Sequence, residues 1–336
     1  MTEAKPVETE KAIAPDLPII DVHHHFWDET LGFAKTFGRF LPLDFEAQVV
    51  ESGHKLIASV YADCGSGFRD TGPEELRCVG ETEFVEQVAE TFAAGSGPLG
   101  KVAAGIVSRA DLTLGDAVGA VLDAHIEASP TRFRGIRELL PYDPDVFQTL
   151  NVPPGKSRRP DFRAGLAQLT RRGLSLDILC VHTMLDDIVD LARAFPETSI
   201  ILNHLAGPIG VGRFRDKRAE VFTDWRAKIE ALAQCENVSI KLSGVGAEVP
   251  GFGWFRTGVM PGSEAIGAAI EPYIVAAVDA FSPYRCMFGS NFPVDRMSFP
   301  YGTMWNAFKR VASRYTPAEQ GALMSGSAVR IYRLAL

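Results

Sequence analysis

The chain has 336 residues, of which 46% are apolar and 23% charged, and its formal net charge is −8. This balance is typical of a globular protein with a large core, and the negative charge argues against nucleic acid or an anionic membrane as a partner. Five scattered cysteines without a CxxC pair argue against a disulfide framework or a cysteine-rich zinc site. We therefore expect a cytoplasmic protein with reduced thiols that acts on a small molecule.

The chain is predicted to form a single domain. Residues 1–17 mix Glu, Lys, Thr and Pro without an apolar stretch, so we expect a disordered tail and no signal peptide. No later apolar run reaches the about 18 residues that a membrane span needs. Residues 18–336 contain neither an internal repeat nor a low-complexity linker, and they are predicted to fold as one unit.

Short aliphatic runs alternate with longer stretches of helical periodicity. The predicted strands are 19–25, 55–63, 101–110, 134–140, 174–182, 198–205, 237–244 and 285–293. Predicted helices between and around them include 81–93, 114–128, 186–195, 219–235 and 263–281, and a last helix begins near Thr316. Several of the runs are continuously apolar, as in parallel strands covered on both faces. Eight strands alternating with helices predict an α/β fold, a single (β/α)8 TIM barrel.

Two long connections follow the first and seventh predicted strands, at residues 26–43 and 245–262. Loops that follow strands stand on the catalytic face of a barrel, so both are candidate substrate walls or lids. Trp254, in the second connection, is accordingly a candidate substrate-binding residue. The alternative for the loop aromatics is packing on the barrel rim or in the interface of a homo-oligomer.

Histidines gather at strand ends. His23 and His25 close the first strand, and because side chains alternate, they point to one face while His24 points to the other. His182 ends the fifth strand and His204 lies near the end of the sixth. A barrel brings these ends to one pocket, and two imidazoles on one face supply half of a divalent metal site.

Two cations also end predicted strands, Arg137 on the fourth and Lys241 on the seventh. Either side chain suits a substrate carboxylate, and the guanidinium offers a bidentate fork. Either is equally suited to an ion pair with Asp or Glu in the barrel wall.

Several motifs together resemble the amidohydrolase superfamily. They are Asp-x-His-x-His at residues 21–25, histidines on strands five and six, and Phe-Gly-Ser-Asn-Phe-Pro at 288–293, with further similarity at 80–84, 134–137, 203–208 and 327–334. The resemblance spans roughly residues 18–335. It is closest to the amidohydrolase-related branch, which contains sugar-acid lactonases, a pyrone dicarboxylate lactonase and the aminocarboxymuconate semialdehyde decarboxylase group.

The resemblance implies that His23, His25 and His182 hold a divalent metal, usually zinc, and that His204 orients or polarises the substrate carbonyl. Strand eight of the family normally supplies an aspartate as metal ligand and general base, but this chain has Asn291 there. An amide cannot act as a general base and binds a hard cation less well than a carboxylate.

That departure leaves two alternatives. Another group supplies the base, for which Asp295 is a candidate if it is not simply an exposed loop carboxylate. Otherwise the site works without a metal, as some lactonases of this branch are thought to do.

The leading functional hypothesis is hydrolysis of a small lactone or related cyclic ester of acidic or sugar-acid character, by water activated by a metal or by a histidine. Non-oxidative decarboxylation of an aromatic or muconate-type acid is the enzymatic alternative. A third hypothesis is a barrel that has lost catalysis and binds a metabolite.

Overall fold

The computed structural model describes residues 10–95, 97–147, 152–255, 257–258 and 260–336. Eight strands form one sheet in the order β1 to β8, and each strand pairs in parallel with the next. They are β1 (Ile19–His24), β2 (Leu56–Ala62), β3 (Gly105–Ser108), β4 (Phe133–Leu139), β5 (Ser175–Leu179), β6 (Ile200–Leu202), β7 (Val238–Leu242) and β8 (Cys286–Phe288). Every predicted strand is confirmed, although each predicted run extends beyond the observed strand at one end or at both.

Helices cover the outside of the sheet. The described helices are α1 (Ala34–Phe37), α2 (Pro42–Ser52), α3 (Val79–Ala94), α4 (Val118–Ala128), α5 (Pro160–Arg171), α6 (Leu185–Ala194), α7 (Arg218–Ala233), α8 (Ser263–Phe281), α9 (Tyr301–Ala312), α10 (Pro317–Gly321) and α11 (Ser327–Ile331). The predicted cap of α10 is present, since Thr316 Oγ1 accepts a hydrogen bond from the Glu319 amide at 3.4 Å. Among the described helices, none combines the length and apolar character needed to cross a bilayer.

Backbone hydrogen bonds close the barrel between its first and last strands. The His25 amide donates to the Phe292 carbonyl at 2.8 Å, and the Asn291 amide donates to the His23 carbonyl at 2.7 Å. With eight parallel strands and helices between them, the predicted (β/α)8 barrel is confirmed. Closure matters for the site because it places the ends of β1 and β8 side by side.

Two apolar clusters fill the domain. The larger lies between the strands and the surrounding helices. The smaller combines strand side chains such as Val22 and Ile201 with Tyr332 and its neighbours in the C-terminal segment. The last helix therefore packs against strand side chains of the barrel as well as lying in the outer layer.

The predicted tail over residues 1–17 divides at the limit of the described chain. Residues 1–9 lie outside the described residues. Beyond them, Glu10 Oε1 accepts from the Ser263 amide at 2.6 Å, and the Ile13 amide donates to Asn306 Oδ1 at 2.7 Å. Residues 10–17 are thus bound along α8 and α9.

Candidate active site

A cavity of about 450 Å³ opens at the carboxyl ends of the strands, the face that carries the active site in barrels of this type. Its polar and charged lining residues stand at or just beyond the ends of six strands. They are His25, Asp63, Arg109, Arg137, His204 and Asn291.

Two histidines, His25 and His204, line this cavity, and the buried ring of His23 contacts both. The ring centroid of His23 lies 4.9 Å from that of His25 and 4.4 Å from that of His204. His24 points outward and stacks on Phe45 of α2 at 4.4 Å. The alternation expected for a strand therefore sets the directions of the histidines of β1.

The hydrogen-bond partners of His23 and His25 select opposite tautomers. Lys241 Nζ lies 3.3 Å from His23 Nδ1, and because an ammonium only donates, a neutral His23 carries its proton on Nε2. His25 Nδ1 lies 2.8 Å from the carbonyl oxygen of Ala62, which only accepts, so its proton is on Nδ1. His25 Nε2 then carries a lone pair, on a ring that lines the cavity.

The environment keeps these imidazoles uncharged. Burial, followed by the charge of Arg137, lowers the pKa of His25 to about 3. Burial also holds the pKa values of His23 and His204 well below the ordinary range, with Lys241 and Arg137 adding to the effect. At neutral pH all three rings are therefore neutral, and a hydrogen bond with the Asn291 side chain partly opposes the lowering of the His25 pKa.

His204 and Asn291 both enter the site from left-handed backbone, with φ of 54° and 55°. Such conformations are uncommon for residues other than glycine and tend to cluster at functional sites. His204 Nδ1 bonds Ser243 Oγ at 3.0 Å, a contact in which either atom can be the donor. Behind the ring lies Gly244, where a Cβ would come within 2.5 Å of His204 Cγ.

We expect Gly244→Ala to displace His204 and to lower kcat by about 10²-fold, since small misplacements in an active site carry penalties of that size. The positive φ of Gly244, 70°, adds a modest loss of stability. Gly32→Ala is the control, because a Cβ at Gly32 meets nothing within 4 Å. Steady-state kinetics and thermal unfolding of both variants check this, and equal kcat values in the two would contradict it.

Arg137 is held in place from two sides. Its Nε donates to Asn203 Oδ1 at 3.0 Å, and its Nη1 donates to the Asp63 carbonyl at 2.9 Å. The side chain is almost fully buried and lines the cavity, where its remaining N–H groups face any bound molecule. Beside it, Arg109 Nε bonds Asp63 Oδ1 at 2.8 Å.

Lys241, predicted as a substrate-binding residue, lies instead beneath the site. Its ammonium is fully buried and pairs with Asp177 at 2.7 Å, while Asp177 also accepts from the Tyr332 hydroxyl at 2.8 Å. Lys241 is not among the lining residues of the cavity. The geometry favours the alternative to direct substrate contact, an ion pair in the barrel wall, because the ammonium of Lys241 bonds Asp177 of β5 and does not enter the cavity.

Asp295 is not an exposed loop carboxylate. It is fully buried, its Oδ1 accepts from Asn291 Nδ2 at 2.7 Å, and its Oδ2 accepts from the Gly246 amide at 2.8 Å. Burial raises the pKa of Asp295 to about 7. Because both oxygens face the protein, its contribution to the site is to orient the Asn291 amide, which lines the cavity.

Two predicted site residues lie away from the cavity. His182 Nδ1 lies 3.3 Å from the Ile209 amide, which donates to it, and the ring packs edge-on against Phe214. Trp254 stacks on Phe252 at 4.8 Å, which is the rim packing that was the alternative for this side chain. Like His204 beyond β6, His182 lies beyond the end of β5 at the start of a short helical segment, but its ring turns toward Phe214 and not into the cavity.

The residues present do not fit a divalent metal ion. In the described part of the chain, no group of three or more His, Cys, Asp or Glu side chains is arranged to hold one. His182 is elsewhere, Asn291 is a weak ligand, and Lys241 blocks Nδ1 of His23. A histidine that ligates through one nitrogen normally donates from the other to an acceptor, whereas His23 faces an ammonium there.

The sequence reasoning missed several polar residues of the site and its support. Asp63 and Arg109 follow β2 and β3 directly, so the strand-end criterion used for the histidines would have found them. Asp177 stands inside the apolar run of β5, where a charged residue signals a buried partner. Nothing in the sequence identifies that partner as Lys241.

All seven histidines have pKa values lowered mainly by burial. Groups whose folded pKa is depressed give stability that is present above the unfolded pKa of about 6.5 and lost as pH falls below it. Buried carboxyl groups with raised pKa values, Asp21, Glu81, Glu138 and Asp295, act in the opposite direction but are fewer among the described residues than the histidines. We expect urea unfolding to show lower stability at about pH 5.5 than at about pH 7.5; equal midpoints would contradict this.

Comparison with known proteins identifies the family of this chain and finds relatives that are named as lactonases. The amidohydrolase family profile matches residues 20–334. An uncharacterised protein from Sinorhizobium fredii is 32% identical over 335 residues, 95% of this chain and 99% of its own. A Burkholderia multivorans protein named L-fucono-1,5-lactonase is 32% identical over 206 residues, 61% of this chain and 64% of its own. A Burkholderia ambifaria protein of the same name is 26% identical over 322 residues, 94% and 95% of the two chains.

Solved structures with a similar fold agree with the family assignment. An amidohydrolase from Burkholderia multivorans, crystallised with HEPES and in another form with zinc, has a TM-score of 0.71 at 26% identity, covering 94% of this chain and 99% of that one. The 5-carboxyvanillate decarboxylase of Sphingomonas paucimobilis shares the fold alone, with a TM-score of 0.56 at 12% identity, covering 95% of this chain and 100% of that one.

Barrel and cavity together place a candidate active site at the strand ends. The chain belongs to the amidohydrolase family, as the motifs predicted, and it is a hydrolase.

Proposed function

We propose that this chain hydrolyses a small lactone, using His25 rather than a metal ion to activate water. The observation that carries the proposal is the hydrogen bond from His25 Nδ1 to the Ala62 carbonyl, which leaves the Nε2 lone pair on a ring that lines the cavity. The two relatives named L-fucono-1,5-lactonase support a lactone as the substrate.

In the proposed reaction, His25 Nε2 accepts a proton as a water oxygen attacks the lactone carbonyl. The carbonyl oxygen gains negative charge and is stabilised by the free N–H groups of Arg137, a preorganised and buried cation. Breakdown of the tetrahedral species expels the ring oxygen, which takes the proton back from His25. The product is a hydroxy acid, and its carboxyl group then ionises.

The low pKa of His25 affects how it can act as a general base. The imidazole is a weak base because burial, and after it the charges of Arg137 and Lys241, disfavour its protonation. Negative charge that develops on the substrate oxygen beside these cations offsets them, so the proton affinity of His25 rises as the reaction proceeds. His204 and Asn291 then complete a polar floor around the reacting carbonyl.

The experiment that tests the proposal follows proton release from unsubstituted δ-valerolactone in weak buffer, with a pH indicator. Elemental analysis of the untagged protein and assays with and without a chelator accompany it. Turnover that is insensitive to the chelator supports the proposal. Loss of turnover on chelation, restored by zinc, would overturn the metal-free mechanism. Carbon dioxide from aromatic acids in a sealed vial would favour the decarboxylase alternative, and binding without turnover would favour a binding protein.

Arg137→Lys is expected to lower kcat/KM by about 10²-fold and to raise KM, although the positive charge is kept. A lysine cannot bond Asn203, the Asp63 carbonyl and the substrate at the same time, as the guanidinium fork does. Arg226→Lys, on the exposed face of α7, is the control. Initial-rate kinetics separate the two parameters, and an unchanged KM would remove Arg137 from substrate binding.

A further inference from the structure

The cavity is divided into a polar floor and an apolar wall. The polar lining residues stand at strand ends, whereas the loops that follow the strands contribute mainly apolar side chains. These are Trp27, Phe33 and Phe37 after β1, Phe147 after β4, Val249 and Pro250 after β7, and Val294 after β8. Leu179 and Val181 add to the wall at the end of β5.

The aromatic side chains of this wall already have their packing and hydrogen-bond partners within the protein. Trp27 Nε1 donates to the Gly38 carbonyl at 2.7 Å, so the indole has no N–H left for a ligand. Phe33 packs edge-on against Trp27, with ring centroids 4.7 Å apart. Phe37 lies 6.2 Å from Phe255 of the long loop after β7, so the two long connections meet above the cavity. The wall therefore offers ring faces and few hydrogen-bonding atoms.

Many polar atoms of the floor are also already engaged within the protein. Arg109 pairs with Asp63 Oδ1, although Oδ2 of that carboxylate has no partner among the described residues. Asn291 donates to Asp295, and His25 donates to the Ala62 carbonyl. A ligand hydroxyl placed against the apolar wall would lose its bonds to water without replacement, which is unfavourable. A hydrocarbon group in the same place would gain from burial.

From this division we infer that the substrate is a lactone with an apolar substituent, an alkyl chain or a fused aromatic ring, rather than a polyhydroxylated sugar lactone. The inference rests on the proposed lactonase function. The lactone carbonyl sits on the floor at His25 and Arg137, and the substituent lies among Trp27, Phe33 and Phe37. The inferred substrate departs from the sugar-acid character that was expected from the sequence.

The test compares kcat/KM for δ-nonalactone and dihydrocoumarin with that for glucono-1,5-lactone, using δ-valerolactone as the unsubstituted reference. Values for the two apolar lactones at least about tenfold above those of the sugar lactone support the inference. A sugar lactone that is hydrolysed as well or better overturns it and leaves the lactonase function standing. Turnover of none of the lactones removes the lactonase function itself.

A variant of the wall makes the test specific. Phe33→Ala is expected to lower kcat/KM for δ-nonalactone by about tenfold while changing that for δ-valerolactone by less than about threefold. Tyr284→Ala removes an exposed aromatic ring outside the cavity lining and is expected to leave both values unchanged. If Phe33→Ala affects the two lactones equally, the wall does not hold the substituent and the inference fails.

Discussion

Replacing His25 with asparagine is expected to lower kcat by about 10²–10⁴-fold, the range that general-base catalysis usually contributes. The asparagine amide group keeps a donor for the Ala62 carbonyl but has no lone pair equivalent to Nε2 of the imidazole. The fold is therefore expected to survive while the base is lost. Kinetics with δ-valerolactone, together with circular dichroism, check both parts.

His182→Asn is the matched control because the two mechanisms predict different results for it. The asparagine oxygen can accept from the Ile209 amide as His182 Nδ1 does, so in the metal-free mechanism kcat changes by less than about threefold. In a zinc mechanism with His182 as ligand, this variant would lose both metal affinity and activity. Full activity of His25→Asn would show that the base lies elsewhere on the cavity floor.

The largest effect on stability is expected for Lys241→Met, about 3–5 kcal/mol, because it leaves the buried carboxylate of Asp177 without its cation. Both side chains are fully buried, so water cannot replace the lost partner. By contrast, Arg226→Met breaks an exposed pair with Glu230 and is expected to cost no more than about 0.5 kcal/mol. Urea unfolding at neutral pH measures both.

The double variant Asp177→Asn with Lys241→Met separates the charge effect from packing. It removes both charges, so it is expected to be more stable than Lys241→Met alone. A double variant with the same or lower stability would mean that lost packing around Tyr332, and not an unpaired charge, causes the destabilisation. The free energies of unfolding of the unsubstituted protein, Lys241→Met, Asp177→Asn and the double variant form a double-mutant cycle.

The sequence by itself determined the barrel and the direction of the β1 histidines. Continuous apolar runs are typical of parallel strands covered on both faces, and their alternation with helices leaves few other topologies. Strand alternation likewise directs His23 and His25 to one side and His24 to the other, whatever the rest of the chain does. These features depend on local periodicity, which can be read from a single segment.

The tertiary structure alone decided which residues meet and in which protonation form. His182 and His204 follow similar strand signals, yet His204 contacts His23 while His182 turns toward Phe214. That choice depends on backbone conformation after the strands, where a left-handed φ at His204 has no clear sequence signature.

The buried pairing of Lys241 with Asp177 and its contact with His23 join three strands that are far apart in the chain. No local pattern encodes such a contact, because it exists only after closure of the barrel brings the strands together. This contact, by placing a donor against His23, is what argues against the metal site that the sequence motifs implied.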